Sequence, residues 1–422
     1  MARASSVSDQ LAASCSGEGW RSLYINHGWG REMKKPGDLH GPGRQGRTKQ
    51  QWVQSAREAV LHLLERELVA PRVEIDRRLH ELRTPAGVRF DPHIIGEAIT
   101  QLTSMGAVTT YHHTTKGGRS VELLGTGLII KRSTEVTKRV RRKGMLYARF
   151  LRLTTTAGKA GEFVVDQSLR KAGTHLIPMS PAGWGEVSRV GPAVMNGPLD
   201  AGAWLQSIDA VSGLPKPPIG IPIEVKNRRL VIYPTHKEVH QLLYKGAVLQ
   251  TTHPNQAFVP ALICRRVHRR SFWMARDLGF LIHPTEREYV YLDKTITPRL
   301  LDEVRNELAL DDLTPVDPAK PPQIIQFFQE TLKNRATTQA ARWRLVAPLV
   351  LPIANQLRKE STAPPAYRAE AIRSLRAQTI PLLEGAGFEC GGGWSLPDRV
   401  DDETDEDDED IDYADYDDET DQ

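Results

Sequence analysis

Asp209, Glu224 and Lys226 are the residues of this chain whose types and spacing most directly imply chemistry. The run Leu205-Gln-Ser-Ile-Asp-Ala-Val211 alternates as a strand does, so that Asp209 faces away from Ile208 and Ala210. A Gly- and Pro-rich stretch from Ser212 to Gly220 leads into Ile221-Pro-Ile-Glu-Val-Lys-Asn227. With period-two alternation, Ile221, Ile223 and Val225 point one way while Glu224 and Lys226 point the other way together. Pairing of these two strands through the loop would set Asp209 beside Glu224. Two adjacent carboxylates repel unless a divalent cation lies between them. Mg²⁺ accepts one or two carboxylates, keeps several waters and takes its other ligands from phosphate oxygens. It acidifies a bound water and stabilises charge on the phosphate. An ammonium two residues on can hold the attacking water or screen the developing charge. Acid, acid and base on adjacent strands therefore form a set suited to phosphodiester hydrolysis.

Upstream, Lys159–Lys171 reads as a helix that places Glu162, Val165, Leu169 and Ala172 on one face. A carboxylate on a buried stripe needs a cation or another partner. Glu162 on a helix, Asp209 on the next strand and Glu224-Val225-Lys226 on the strand after it resemble the PD-(D/E)XK nuclease superfamily. The proline usual before the aspartate is absent from Ser-Ile-Asp209. The resemblance covers about 147–292. It implies a restriction-endonuclease-like mixed α/β domain (147–296) in which Asp209 and Glu224 bind Mg²⁺ or Mn²⁺. It further implies that Lys226 positions water and that Glu162 supports the site or a second ion. Gln241-Leu-Leu-Tyr244 resembles the glutamine-bearing helix of some members, which makes Gln241 a further nucleic-acid contact. The competing reading of the same residues is a sheet face held by a structural lysine–carboxylate network.

The elements ahead of this domain have a different periodicity. Trp52, Ala56, Ala59, Val60 and Leu63 form a helical stripe, and a short helix is predicted over Val73–Leu82. A third helix opens with Asp91 as cap and Pro92 in its first turn, then aligns Ile94, Ile95, Ala98, Ile99, Leu102 and Met105 before stopping at Gly106. Two strands, Ala107–Tyr111 and Ser120–Leu124, follow, joined by a turn that carries Lys116 and Arg119. Three helices and a basic hairpin resemble a winged helix-turn-helix domain (49–125). That resemblance implies a third helix in the major groove, offering His93, Glu97, Thr100, Gln101 and Ser104, and a wing on the phosphate backbone. The same fold also serves as a protein-contact module. In 126–146, Lys131, Arg132, Lys138, Arg139, Arg141, Arg142 and Lys143 form a basic linker. It reads either as a solvated connection or as a phosphate-tracking strap through residues such as Arg141 and Arg142.

Composition sets the bounds. The chain has 422 residues, 40% of them hydrophobic, which allows two or three domains. Residues 401–421 hold 15 of the 52 acidic residues and no base; the remaining 37 face 56 Lys and Arg, a formal +19. A body this basic attracts a polyphosphate partner. The acidic tail (399–422) and the Gly-, Ser- and Arg-rich 1–48 are expected to be disordered. Cys15, Cys264 and Cys390 are too scattered for a disulfide framework or a cysteine zinc site, and no signal peptide or membrane span is evident. A cytoplasmic location is therefore expected. His236 and His240 have a zinc-compatible spacing without a third ligand, and Cys264 reads as a buried strand residue. Region 297–398 is expected to be helical, packing on the nuclease-like domain or making a homodimer contact. The expectation is a multidomain α/β protein acting as a Mg²⁺-dependent endonuclease on duplex DNA, of restriction or defence type. The alternative is a DNA-binding regulator or adaptor whose nuclease fold is catalytically silent.

Overall fold

The computed structural model describes residues 48–82, 84, 87–127, 133–209, 211–292, 297–319, 324–360 and 377–387. The expected disordered termini, Lys131, Arg132, Cys15 and Cys390 lie outside these residues.

Helix α1 (Lys49–Glu67) begins where Thr48 and Gln51 cap each other: Gln51 N donates to Thr48 Oγ1 at 3.3 Å and the Gln51 side chain accepts from Thr48 N at 2.8 Å. It is followed by β1 (Val69–Ala70) and α2 (Arg72–Asp76), which continues into a π-type turn over Arg77–Glu81. Helix α3 (Pro92–Ser104) is capped by Asp91, whose carboxylate accepts from His93 N at 3.1 Å. It buries Ile94, Ile95, Ala98, Ile99 and Leu102 against α1 residues such as Val60 and Leu64. Each buried Ile or Leu contributes about 1.5–3 kcal/mol. The hairpin β2 (Val108–Thr114) and β3 (Ser120–Thr126) completes an antiparallel sheet of order β1-β3-β2.

The basic segment expected to be a linker is helical over α4 (Ser133–Leu153). Its Lys143 is fully buried and donates to Glu74 at 2.8 and 2.9 Å and to Glu67 at 3.0 Å. Arg139 and Arg142 pair with Glu307 at 3.1 and 2.8 Å. Lys143 thus ties α4 to α1 and α2, because an ammonium sealed between two carboxylates has no access to phosphate.

After α5 (Ala157–Lys171) the chain builds a mixed sheet from β4 (Leu176–Pro178), β7 (Ala201–Leu205), β8 (Ile219–Ile232), β10 (Ala261–Val267) and β11 (Leu281–Pro284). The order is β11-β10-β8-β7-β4, with β9 (Ala257–Phe258) also on β8. Strands β4, β7 and β8 are antiparallel neighbours; β10 and β11 run parallel to β8. A side hairpin of β5 (Val187–Val190) and β6 (Ala193–Leu199) runs directly into β7. Helix α6 (Lys237–Thr252) joins β8 to β9, and α7 (Arg269–Leu278) joins β10 to β11. The chain continues through β12 (Glu288–Val290), α8 (Pro298–Leu308), β13 (Leu313–Pro315) and α9 (Leu332–Glu360).

Both faces of the sheet are covered, which is why β8 is buried along its first seven residues rather than alternately. One core joins Val164, Val165 and Leu169 of α5 to Ile221, Ile223 and Phe328. The other joins Leu242, Leu243 and Ala247 of α6 to Leu262, Met274 and Trp343 of α9. Gly246 permits the close approach on this side: a Cβ there would lie 2.5 Å from Pro260 and 3.1 Å from Trp343. The C-terminal helical region is therefore part of the core of the sheet. Pro348 and Pro352 sit inside α9. Burial of Val346, Ala347, Val350, Ile353 and Ala354 offsets the roughly 3 kcal/mol that an interior proline costs.

Candidate functional site

Strand register decides which acidic residue meets Glu224. In the β7–β8 pair Ala201 is opposite Ile223 and Leu205 opposite Ile219. Continued by one residue, this register sets Asp200 opposite Glu224. Asp209 lies at the other end of the hairpin, next to the bridge between Ile208 and Pro215. The two positions are nine residues apart along the chain, about 30 Å at strand rise. The expectation that Asp209 joins Glu224 is thereby corrected. Asp209 caps the hairpin tip, accepting from Val211 N at 3.1 Å and Ser212 N at 2.9 Å, and pairs with Lys216 at 3.3 Å. Those hydrogen bonds, with Lys216, hold its carboxyl down at about 2. The alternation read over Leu205–Val211 fails because β7 ends at Leu205 and the chain turns.

Asp200 instead stands at the start of β7, immediately after β6. Its Oδ2 accepts from Val225 N at 2.6 Å and from Lys226 Nζ at 3.1 Å. Lys226 Nζ also donates to Glu224 Oε2 at 3.0 Å. Asp200, Glu224 and Lys226 thus form one connected cluster, with the ammonium between the carboxylates. Glu224 is 2% exposed. Its other oxygen, Oε1, accepts from Lys245 Nζ of α6, which also donates to the Pro198 carbonyl at 2.5 Å. Burial pushes the Glu224 carboxyl above its ordinary value, with Asp200 adding to the effect, while Lys226 and Lys245 oppose it. Burial works against the Lys226 charge, yet Glu224 and Asp200 outweigh it and raise its pKa.

Asn227 next on β8 anchors α5. It donates to Ala157 O at 2.6 Å and Tyr289 O at 2.7 Å, and accepts from Tyr289 N at 2.9 Å. Gly161 makes this contact possible, since a Cβ there would fall 2.4 Å from Asn227 Cβ. The next residue is Glu162, half-buried at the margin of the helix face rather than within its buried stripe. Partial burial raises its carboxyl, and Asp200 and the nearby Glu186 add to this against Lys226 and Lys159. The structure therefore joins Glu224 and Lys226 to Asp200 and Lys245 by direct contacts, sets Glu162 within electrostatic reach of Asp200 and Lys226, and leaves Asp209 apart. Gln241 is half-buried, one helical turn before Lys245 on α6. Asp200 was legible through Gly197-Pro-Leu-Asp200, a proline two residues ahead of an aspartate, but Gly-Pro reads first as a turn.

Among the described residues no group of three or more His, Cys, Asp or Glu is arranged to hold a metal ion. The donor set still fits a hard divalent cation that needs one or two carboxylates. Asp200 and Glu224 offer two carboxylates, and a cationic group, the Lys226 ammonium, already occupies the space between them.

The nucleic-acid candidates are distributed differently. Lys116, Arg119, Arg141 and Arg142 are exposed, with Arg142 paired to Glu307. On α3, His93, Thr100 and Ser104 are exposed, while Glu97 is bound by Lys49 at 3.2 Å and by Gln101 at 3.2 Å. His240 Nε2 donates to Pro234 O at 3.0 Å, and burial lowers the His236 pKa, so both have structural surroundings. Cys264 is buried and its thiol is pushed far above the ordinary range. Among the described residues no helix is long and apolar enough to cross a membrane. Comparison with protein-family models, with curated proteins and with solved structures returned no match for this chain.

Proposed function

We propose that the sheet carries a metal-dependent phosphodiesterase site of the PD-(D/E)XK type and that the N-terminal module is a winged helix that holds duplex DNA. The observation that carries this reading is the Lys226 ammonium, 3.0 Å from Glu224 and 3.1 Å from Asp200 on neighbouring antiparallel strands. The order of parts supports it: Glu162 on a helix, Asp200 opening the strand pair, and Glu224-Val225-Lys226 on the next strand. Asp200 takes the place the sequence reading assigned to Asp209. Asp200 and Glu224 would hold Mg²⁺ or Mn²⁺, and Glu162 would support them from α5. The bound ion would acidify a water and neutralise charge on the scissile phosphate. Lys226, freed from one carboxylate, would hold the attacking water or the phosphate.

For the N-terminal module, the supporting observations are the sheet order β1-β3-β2, the exposed basic turn at Lys116 and Arg119, and an α3 whose one acidic side chain, Glu97, is engaged by Lys49. The testing experiment is cleavage of supercoiled, linear, single-stranded and branched DNA with Mg²⁺ or Mn²⁺. Wild type is compared with Asp200→Ala, Lys226→Ala and Asp209→Ala. Metal-dependent cutting lost in the first two and kept in the third is the expected result. Loss in Asp209→Ala with retention in Asp200→Ala overturns the assignment. A second reading, a DNA-binding regulator with a silent site, draws on the complete charge pairing of Asp200 and Glu224 by Lys226 and Lys245. It predicts salt-sensitive binding with no cutting of any substrate.

A further inference from the structure

The site contains two lysines, and their surroundings differ. Lys226 on β8 is 21% exposed, and both of its contacts in the site are to carboxylates, Asp200 and Glu224. Lys245 on α6 is 7% exposed and holds two things of different kinds. It pairs with Glu224 Oε1, and it donates to the carbonyl of Pro198, two residues before Asp200. One buried ammonium therefore ties the orientation of Glu224 to the turn that delivers Asp200.

Charge counting separates the two roles. Asp200 and Glu224 against Lys226 and Lys245 make a neutral set. A divalent cation between the carboxylates would take the place that the Lys226 ammonium fills, 3.1 Å from Asp200 and 3.0 Å from Glu224, so one ammonium must retreat. Lys245 is poorly placed to do so: it is enclosed, and withdrawal would strip the Pro198 carbonyl and Glu224 Oε1 of a donor in a buried setting, which is costly. Lys226 sits at the open side and loses only the contacts that the cation replaces.

Resting on the metal-dependent reading above, we propose that the lysines divide the work: Lys245 is a fixed positioning residue that presents Glu224 and Asp200 to the cation, and Lys226 is the displaceable ammonium that the cation releases toward substrate. The glutamate is thereby held through one oxygen while the other stays available. No role for Lys245 follows from the spacing of Asp, Glu and Lys in the sequence, because the contact is made across the sheet–helix interface.

The two roles predict opposite signs in one measurement, Mn²⁺ binding to the full chain followed by electron paramagnetic resonance. Lys226→Met removes a competitor and should bind Mn²⁺ several-fold more tightly than wild type. Lys245→Met should bind about 10- to 100-fold more weakly, the usual consequence of losing an outer partner of a metal ligand. Lys245→Arg, which keeps charge and donor, should recover most of that loss. Circular dichroism establishes that each variant is folded. If Lys245→Met is not, Lys245→Gln, which keeps a donor for Pro198, is read in its place with the same sign expected. Tighter binding by the Lys245 variants, matching Lys226→Met, would show that Lys245 is only a countercharge and overturn the proposal. Equal weakness of Lys245→Arg and Lys245→Met would do the same. Failure of wild type to bind Mn²⁺ at all overturns the metal-dependent reading itself, a result distinct from a wrong sign at Lys245.

Discussion

Two buried ionic clusters share strand β8, the second extending onto β10, and they are built from different cations. The cluster at Asp200 and Glu224 is neutralised by lysines. In the second, Arg265 of β10 binds Glu81 at 2.8 Å and Asp312 at 2.6 Å, while Arg77 binds Glu81 at 2.6 Å and Asp311 at 2.7 Å. Arg229 of β8, three residues beyond Lys226, reaches Asp312 at 2.5 Å. Arg265 is 1% exposed and uses its planar fork on two carboxylates at once. This cluster joins the N-terminal module to the sheet through arginines that are themselves buried, Arg265 and Arg77. A lysine is a single point charge on a flexible stem, so the first cluster can exchange its partner. Arginine pairing across several carboxylates makes a joint; lysine pairing at a partly open edge is the arrangement that the proposed site uses.

The comparison breaks most visibly in catalysis. Asp200→Asn, Glu224→Gln or Lys226→Met should each lower the DNA cleavage rate about a thousandfold, or ~4 kcal/mol, as loss of charge stabilisation at a metal site does. Single-turnover cleavage of a labelled duplex reads this directly, and near-wild-type rates would move the chemistry elsewhere.

The arginine cluster should respond in stability. Glu81→Gln leaves Arg265 and Arg77 short of a buried countercharge and should cost about 3 kcal/mol in denaturant unfolding. Its pH dependence sharpens the point. Burial alone would raise the Glu81 carboxyl, but Arg265, Arg266 and Arg229 hold it well below the usual range, and Asp312 is lowered in the same way, chiefly by Arg265 and Arg229. A lowered folded-state pKa gives stability that is present above the ordinary carboxylate range, near pH 4, and is lost as pH falls below it. The gap in melting temperature between wild type and Glu81→Gln should therefore narrow on acidification from pH 7 toward pH 3. A gap that stays constant would mean that the pairing at Glu81 is not what stabilises this joint.

Smaller effects are expected at the surface. Lys116→Ala and Arg119→Ala in the β2–β3 turn should each reduce the salt slope of duplex binding by about one, if each neutralises one phosphate. Fluorescence anisotropy across a salt series measures this; an unchanged slope would argue that the turn faces away from DNA. Asp209→Ala should leave cleavage at the wild-type rate, because its partners are confined to the hairpin tip.

Local pattern was sufficient wherever one element decides its own structure. Asp91 as a cap, the stripes of α1 and α3, the basic turn at Lys116–Arg119 and the placing of Glu224 with Lys226 on one strand face all follow from spacing. So does a mixed α/β architecture. What the tertiary structure decided was every pairing between elements. The choice of Asp200 over Asp209 depends on the β7–β8 register, which depends on where the strand ends, and a run such as Leu205–Val211 alternates equally well in a strand and in a hairpin tip. Lys143 and Lys245 are written as solvated bases in any composition count, yet each is buried because carboxylates from other elements enclose it. Pro348 and Pro352 continue a helix because its buried face, Val346, Ala347, Val350 and Ala354, packs into the core beside α6. Capping and periodicity are short-range and act within a few residues. Register, burial of charge and the meeting of Asp200 with Glu224 are set by contacts such as Leu205–Ile219, 14 positions apart, Lys245–Glu224, 21 apart, and Lys143–Glu74, 69 apart, where only the packed chain determines which partners are in reach.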